Sequence, residues 1–181
     1  MNPLWSNIFR KKSEEDSLAH FLRNLAVFAD LGRRELNFIE TLVHSRRYAP
    51  AEIVFEEGDP GSGMYAIRSG RVSIFVRTPD GQKEQLALLG PGDFFGESTL
   101  MAPAQRTASA RTLEPTELIG LFRADLLEAN QKHPAITNAI LIGLARTLSE
   151  RLQAAEIAIR KLRTAASGTT SGTPIDIDPE S

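Results

Sequence analysis

Glu97 and Arg106 are the residues of this chain whose types and spacing best suit chemistry. Both lie in the stretch Phe94-Phe95-Gly96-Glu97-Ser98-Thr99-Leu100-Met101-Ala102-Pro103-Ala104-Gln105-Arg106-Thr107-Ala108. An ionised carboxylate only accepts hydrogen bonds, so Glu97 suits a ribose 2'-hydroxyl, and the planar fork of Arg106 suits a pair of phosphate oxygens. Gly96 lets a ligand approach the backbone. A tight turn or short helix start from Gly96 to Leu100 would add N–H donors that favour an anion. The set fits a small nucleotide with one negative charge. Taken alone, Gly-Glu followed by a distant Arg describes a turn and a surface ion pair equally well, so the elements around it decide.

Those elements begin with helices. Ser13-Glu14-Glu15-Asp16 has a hydroxyl N-cap followed by acidic residues in a first turn. Leu18, Phe21, Leu22 and Leu25 then form one apolar stripe, and Leu36, Ile39 and Leu42 form another after Gly32. From Tyr48 the period changes to two: Ile53 and Phe55, then Val72, Ile74 and Val76, then Leu86 and Leu88, alternate as half-buried strands do. Turns at Glu57–Gly61, Ser69-Gly70, Pro79-Asp80-Gly81 and Gly90-Pro91-Gly92 separate them. Ala108–Thr112 and Glu117–Phe122 complete the strands. Short strands at this spacing predict an antiparallel β-roll, or jelly roll, within an α+β, mainly β fold.

Helical signals return at Arg123. One helix is predicted to about Lys132 and a long one from Pro134, interrupted only by a tolerable Gly143, to about residue 165. At about 40 Å it outreaches a single β-roll. Leu141, Leu148, Ala155 and Leu162 repeat by seven, with Ala145, Leu152 and Ile159 between them, as the a and d positions of a two-stranded coiled coil would. In a parallel dimer Arg151 falls at g and Glu156 at the following e' of the other chain. A helix folded back on its own domain is the competing reading.

Among 181 residues, 21 Lys and Arg against 23 Asp and Glu leave a net charge of −2, with no broad attraction for nucleic acid. There is no cysteine, which excludes disulfides, cysteine-ligated zinc and iron–sulfur sensing. No secretory signal or spanning apolar run is visible, so a cytoplasmic protein is expected. The aromatic and basic segment 1–12 is read as frayed or folded back rather than as a membrane contact. The polar stretch 167–181 cannot bury a core and is expected to be disordered. No G-x-S-x-G, G-x-x-x-x-G-K-[ST] or H-E-x-x-H motif occurs, and His20, His44 and His133 have no ligand spacing, so neither an enzyme nor a metal site is expected.

The segments Tyr48-Ala49-Pro50-Ala51-Glu52-Ile53-Val54-Phe55-Glu56-Glu57-Gly58-Asp59, Met64-Tyr65-Ala66-Ile67-Arg68-Ser69-Gly70-Arg71-Val72, Gly90-Pro91-Gly92-Asp93-Phe94-Phe95-Gly96-Glu97 and Arg106-Thr107-Ala108 resemble, in order and spacing, the cyclic nucleotide-binding domain family. That family includes catabolite activator regulators, kinase regulatory subunits and nucleotide-gated channels; the resemblance covers roughly residues 23 to 160. It implies one domain over 13–166, with a phosphate-binding cassette closed by the long helix. Carried over by position, Gly96 gives backbone approach, Glu97 takes the ribose 2'-hydroxyl, Arg106 pairs with the cyclic phosphate and Thr107 adds a hydroxyl. Phe95, Ser98, Thr99 and Ala108 complete the set.

Two departures stand out. Ser98 and Thr99 replace an aliphatic and a small residue of the usual cassette. Where the catabolite activator branch reads adenine with hydroxyls on the long helix, Ala155 and Glu156 stand here. Glu156 could accept from guanine N1 and N2 or from adenine N6, and Thr107 is associated in the family with guanine, so cAMP and cGMP both remain open. The resemblance implies a homodimeric sensor whose ligand repositions the long helix. Only some twenty polar residues follow Arg163, so DNA is not expected to be contacted directly and the signal is expected to reach a separate protein partner. The alternative is a dimerisation or interaction module whose pocket is degenerate or takes another nucleotide.

Overall fold

The computed structural model describes residues 17–168. The segment 1–12, the helix start at Ser13 and the tail beyond Gly168 lie outside the described residues. The first described helix, α1, is Leu18–Arg23, capped by Ser17, whose hydroxyl accepts from the His20 N–H at 3.1 Å. It ends at Asn24. Leu25 therefore leaves the helical stripe but stays buried as the residue before a 3-10 turn, Ala26–Phe28. α2, Arg33–Glu40, buries Leu36 and Ile39, and the Gly32 N–H donates to the Glu35 carboxylate.

Ten strands follow: β1 Val43–Tyr48, β2 Ile53–Phe55, β3 Pro60–Gly61, β4 Gly63–Ser69, β5 Val72–Arg77, β6 Lys83–Leu89, β7 Phe94–Phe95, β8 Ala104–Gln105, β9 Ser109–Thr112 and β10 Thr116–Phe122. A 3-10 turn, Glu97–Thr99, sits between β7 and β8, and α3 Arg123–Lys132 and α4 Pro134–Gly168 close the described chain. The strands form two four-stranded sheets, β1-β10-β4-β7 and β2-β9-β5-β6, with a small β3-β8 ribbon, all antiparallel. This is the expected roll. The β5–β6 hairpin turns through Pro79-Asp80-Gly81 with Gly81 at φ 82°. A three-residue loop ending in a left-handed glycine matches the twist of such strands.

The sheet containing β10 is covered on both faces. Leu118 points with Tyr48, Ile67 and Phe95 into the space between the sheets, while Ile119 and Leu121 point outward with Met64 and Phe94 against the helices. That double burial explains the nearly continuous apolar run Leu118-Ile119-Gly120-Leu121-Phe122. One reading of the sequence needs correction, and one strand lies outside it. Leu86 and Leu88, expected to be half-buried, are 55% and 51% exposed, because β6 is an edge strand and both lie on its uncovered side. β1 carries no alternating apolar signal, since four of its six residues are exposed at the other sheet's edge.

α4 divides into two halves. Its first half packs on the helical core through Ile140 and Leu144, and Leu141, read as a dimer position, lies partly buried against that same core. Gly143 is more than tolerated: a Cβ there would collide with the Val27 carbonyl, so the missing side chain is what lets α4 touch the backbone of the 3-10 turn. Arg146 secures the contact, donating to Asp30 at 2.6 Å and to the Ala26 carbonyl at 3.3 Å. Beyond Arg151 the apolar side chains are open: Leu152 is 62%, Ile159 50% and Leu162 71% exposed.

Gly143→Ala tests this contact, because propensity and packing oppose each other. The helix gains up to about 1 kcal/mol from alanine, whereas overpacking against backbone costs about 1–3 kcal/mol. A net loss is expected, read in urea unfolding as a lower midpoint at unchanged slope. A raised midpoint would show that the close approach does not control stability.

Candidate functional site

The site is built from the end of β7. Phe95 pairs with Tyr65 of β4, and the chain then reverses at Gly96, whose φ of 77° lies in the left-handed region that glycine adopts without strain. A Cβ at Gly96 would also sit 2.6 Å from Arg106 Nη1. Glycine is thus required twice, by conformation and by contact. The 3-10 turn that follows is anchored by fully buried Leu100, and the N–H groups of Thr99 and Leu100 are spent on Gly96 and Glu97 carbonyls.

Arg106 follows β8. Its backbone is fixed to the opposite turn on both sides: its N–H donates to the Asp59 carbonyl at 2.8 Å and its carbonyl accepts from the Gly58 N–H at 2.9 Å. The side chain is only 5% exposed. Nη1 donates to the Gly96 carbonyl and to the Thr99 hydroxyl, each at 2.8 Å. The guanidinium lies 4.0 Å from the centre of the Phe55 ring and 5.8 Å from that of Tyr65. Burial lowers its pKa, an effect opposed by the neighbouring Tyr65, Asp59 and Glu97. No carboxylate among the described residues forms an ion pair with Arg106. Its Nε and Nη2 have no protein partner there, and neither is sealed from open space. A buried cation with unused donors at a cavity is built to receive an anion.

Glu97 takes a different partner. Its carboxylate accepts from Arg151 Nη1 at 3.0 Å, and Arg151 Nη2 donates to the Phe94 carbonyl at 3.0 Å while the guanidinium covers the Phe94 ring at 4.0 Å. Arg151 thereby ties the long helix to the acidic residue of the site. The cavity between them is open to solvent and about 310 Å³, within the range of small-ligand pockets.

Of the residues singled out in the sequence, Phe95, Gly96, Glu97, Ser98, Arg106, Thr107 and Ala108 line this cavity. Thr99 does not. It is fully buried behind the turn, where its hydroxyl donates to backbone carbonyls and accepts from Arg106, so it holds the arginine rather than facing a ligand. Glu156 is exposed on α4 and outside the lining. Phe55, Ile74 and Arg151 join the cavity without having been foreseen as site residues. Arg151 carried a signal, a long cation on the helix expected to close the site, but the heptad register assigned it to a partner helix. Arg123, at the start of α3, supports the turn from outside by donating to the carbonyls of Thr99 at 2.9 Å and Gly61 at 3.3 Å. Among the described residues there is no cluster of three potential metal ligands, and no helix is long and apolar enough to cross a membrane.

Comparison with known proteins agrees with this geometry. The cyclic nucleotide-binding domain model matches residues 45–133. The cyclic AMP receptor protein of Thermus thermophilus is 36% identical over 129 residues, 71% of this chain and 60% of that protein, so the chain spans less than two thirds of this relative. The crystal structure of the N-terminal domain of a Streptomyces coelicolor A3(2) transcriptional regulator superposes with a TM-score of 0.67 at 30% identity, covering 74% of this chain and 94% of the other. The regulatory domain of Toxoplasma gondii PKA, co-crystallised with cAMP, matches at a TM-score of 0.58 and 26% identity over 64% of this chain and 44% of that one. With the roll, the glycine turn, the buried arginine and these matches in agreement, the chain belongs to the cyclic nucleotide-binding domain family.

Proposed function

We propose that the chain is a cyclic-nucleotide sensor that binds cAMP or cGMP and reports occupancy through α4. The cyclic phosphate takes the free Nε and Nη2 donors of Arg106, and the ribose 2'-hydroxyl donates to Glu97. The observation that carries this reading is the buried, unpaired guanidinium facing a cavity beside a carboxylate. The names of the Thermus and Toxoplasma relatives support cAMP, and the Thr107 hydroxyl in the lining keeps cGMP in the set. Glu156 stands outside the lining, so base choice falls to residues nearer the cavity, such as Ile74 and Thr107.

Signalling follows from the second arginine. A ligand hydroxyl bonded to Glu97 shares the carboxylate with Arg151, which holds Oε1, so occupancy and the position of α4 are linked. A ligand shifts such an equilibrium only by the difference in its affinity for the two states. One partly exposed ion pair is worth about 1 kcal/mol at most, so its exchange for a ligand contact shifts the two positions of α4 several-fold in population. We place one binding domain over 13–166, a homodimer through Leu148, Leu152, Ala155, Ile159 and Leu162 of α4, and a separate protein as recipient in the cytoplasm. The open apolar residues of the distal helix support the dimer.

Three outcomes test this reading. Arg106→Ala is expected to weaken cAMP or cGMP binding by about 3–5 kcal/mol, a hundredfold or more, because the phosphate would be desolvated without a partner; calorimetric titration of nucleotide-stripped protein measures it, and unchanged affinity removes Arg106 from the site. Arg151→Ala should leave affinity within about tenfold but abolish ligand-dependent changes in hydrogen exchange over residues 150–160. Persistence of those changes would separate α4 from the site. Leu152→Glu should convert a dimer to a monomer in analytical ultracentrifugation, whereas an unchanged mass would place the interface elsewhere.

A further inference from the structure

A second cavity, about 280 Å³, opens on the inner face of the β1-β10-β4-β7 sheet. In the strand register His44 lies opposite Gly120 and Gly120 opposite Tyr65. Arg46 and Tyr48 on β1 and Phe122 on β10 project from the same face, two residues apart along each strand. The walls are aromatic: Phe122 stands edge-on to Tyr65 with ring centres 6.0 Å apart at 88°. Gly120 makes the room. A Cβ there would come within 3.1 Å of the Phe122 ring and 3.6 Å of the Tyr65 ring.

Two observations define the chemistry of what the cavity can hold. Tyr48 is only 5% exposed, yet its hydroxyl makes no protein hydrogen bond among the described residues, and the hydroxyl of the half-buried Tyr65 makes none either. Burial raises the Tyr48 pKa, which keeps the phenol neutral, a state in which its oxygen accepts a hydrogen bond as well as donating one. Buried tyrosine hydroxyls normally find partners, and the Tyr48 oxygen is not sealed off, since Arg111 Nε is the only fully enclosed unpartnered side-chain polar atom among the described residues. The cations at the rim are already matched, Arg46 by Glu52 at 2.8 Å and His44 by Asp125 at 3.0 Å. A charged ligand would find no free counter-ion there. A flat, uncharged molecule with a hydrogen-bonding edge fits the walls, the two hydroxyls and the balanced rim.

We infer that this cavity is a second binding site, taking a small neutral aromatic molecule of one or two rings, hydrogen-bonded to Tyr48 and Tyr65. Its inner wall backs onto the nucleotide pocket through one layer of rings. Tyr65 stacks on Phe95 at 5.6 Å and 24° and lies 5.8 Å from the Arg106 guanidinium, so the ring that would hold the aromatic ligand touches two residues that line the nucleotide pocket without lining it itself.

Indole is a suitable probe, followed by saturation-transfer NMR and calorimetry on the full chain with and without saturating cAMP. Indole should bind in both conditions. Gly120→Val, which fills the cavity, should weaken it at least tenfold, and Tyr48→Phe, which removes only the hydroxyl, roughly threefold to tenfold. Displacement of indole by cAMP would place it in the nucleotide pocket and overturn the proposal. So would the absence of saturation transfer, or unchanged affinity in Tyr48→Phe. If Gly120→Val fails to fold by circular dichroism, the Tyr48→Phe comparison and the cAMP competition decide. Because indole is also titrated without nucleotide, a failure to bind cAMP leaves this test intact.

Discussion

Keeping the Arg106 guanidinium out of water without an ion pair is the constraint on which the rest of the site depends. Removing such a cation from solvent costs several kcal/mol, and only well-placed acceptors offset it. The chain supplies them from both sides of the roll. Gly96 turns its carbonyl inward, which the left-handed backbone there makes possible, Thr99 offers its hydroxyl, and the Phe55 and Tyr65 rings present their electron-rich faces. The remaining donors are left toward the cavity. On the proposed reading, a bound phosphate completes an arrangement whose geometry is set on folding, because the incoming anion meets a guanidinium already held in place with Nε and Nη2 open toward the cavity.

The same constraint explains the supporting shell. Arg106 could not be held so closely if the turn from Gly96 to Leu100 were loose, and three contacts stiffen it: Leu100 buried beneath, Arg123 fastening the Thr99 carbonyl, and Gly61 leaving the space that the Thr99 side chain fills. None of the three touches the cavity. They act through the position of an acceptor, which is the geometry that decides the strength of a charge-assisted hydrogen bond.

The cavity-lining part of the cassette was legible in the sequence because it is local: Gly96, Glu97 and Arg106 are ten residues apart or fewer and their types state their chemistry. The direction of Thr99 was not, since a 3-10 turn assigns residues to faces in a way that residue order alone does not reveal. Arg151 was hidden for a different reason. Its partner Glu97 is 54 positions away, and the heptad pattern offered a complete rival account of the same residue. In the strands, alternation revealed the roll but could not identify its edges. Leu86 and Leu88 alternate as core residues do, and only the pairing of β6 on one side shows that nothing covers them. β1 shows the converse, a polar strand whose place in the sheet is set by its partner β10 rather than by its own pattern.

On the proposed reading, the attachments of α4 also determine how a small event at Glu97 becomes a larger one. Gly143 is pressed on backbone and is the least compliant contact, Arg146 lies within one turn of it, and Arg151 ties the helix to the site about two turns beyond Gly143. Gly143 and Arg151 are about 12 Å apart along the axis, and Leu162 lies a further 16 Å or so beyond. A rigid helix pivoting at Gly143 would therefore enlarge a displacement at Arg151 roughly twofold to threefold at Leu162. A shift of under an ångström at the carboxylate, the scale of one hydrogen bond exchanged for another, becomes enough to change side-chain interdigitation at the distal stripe. The close packing that fixes the pivot and the exposed apolar residues at the far end are thus two ends of one lever, and the ion pair between Glu97 and Arg151 is where a ligand can act on it.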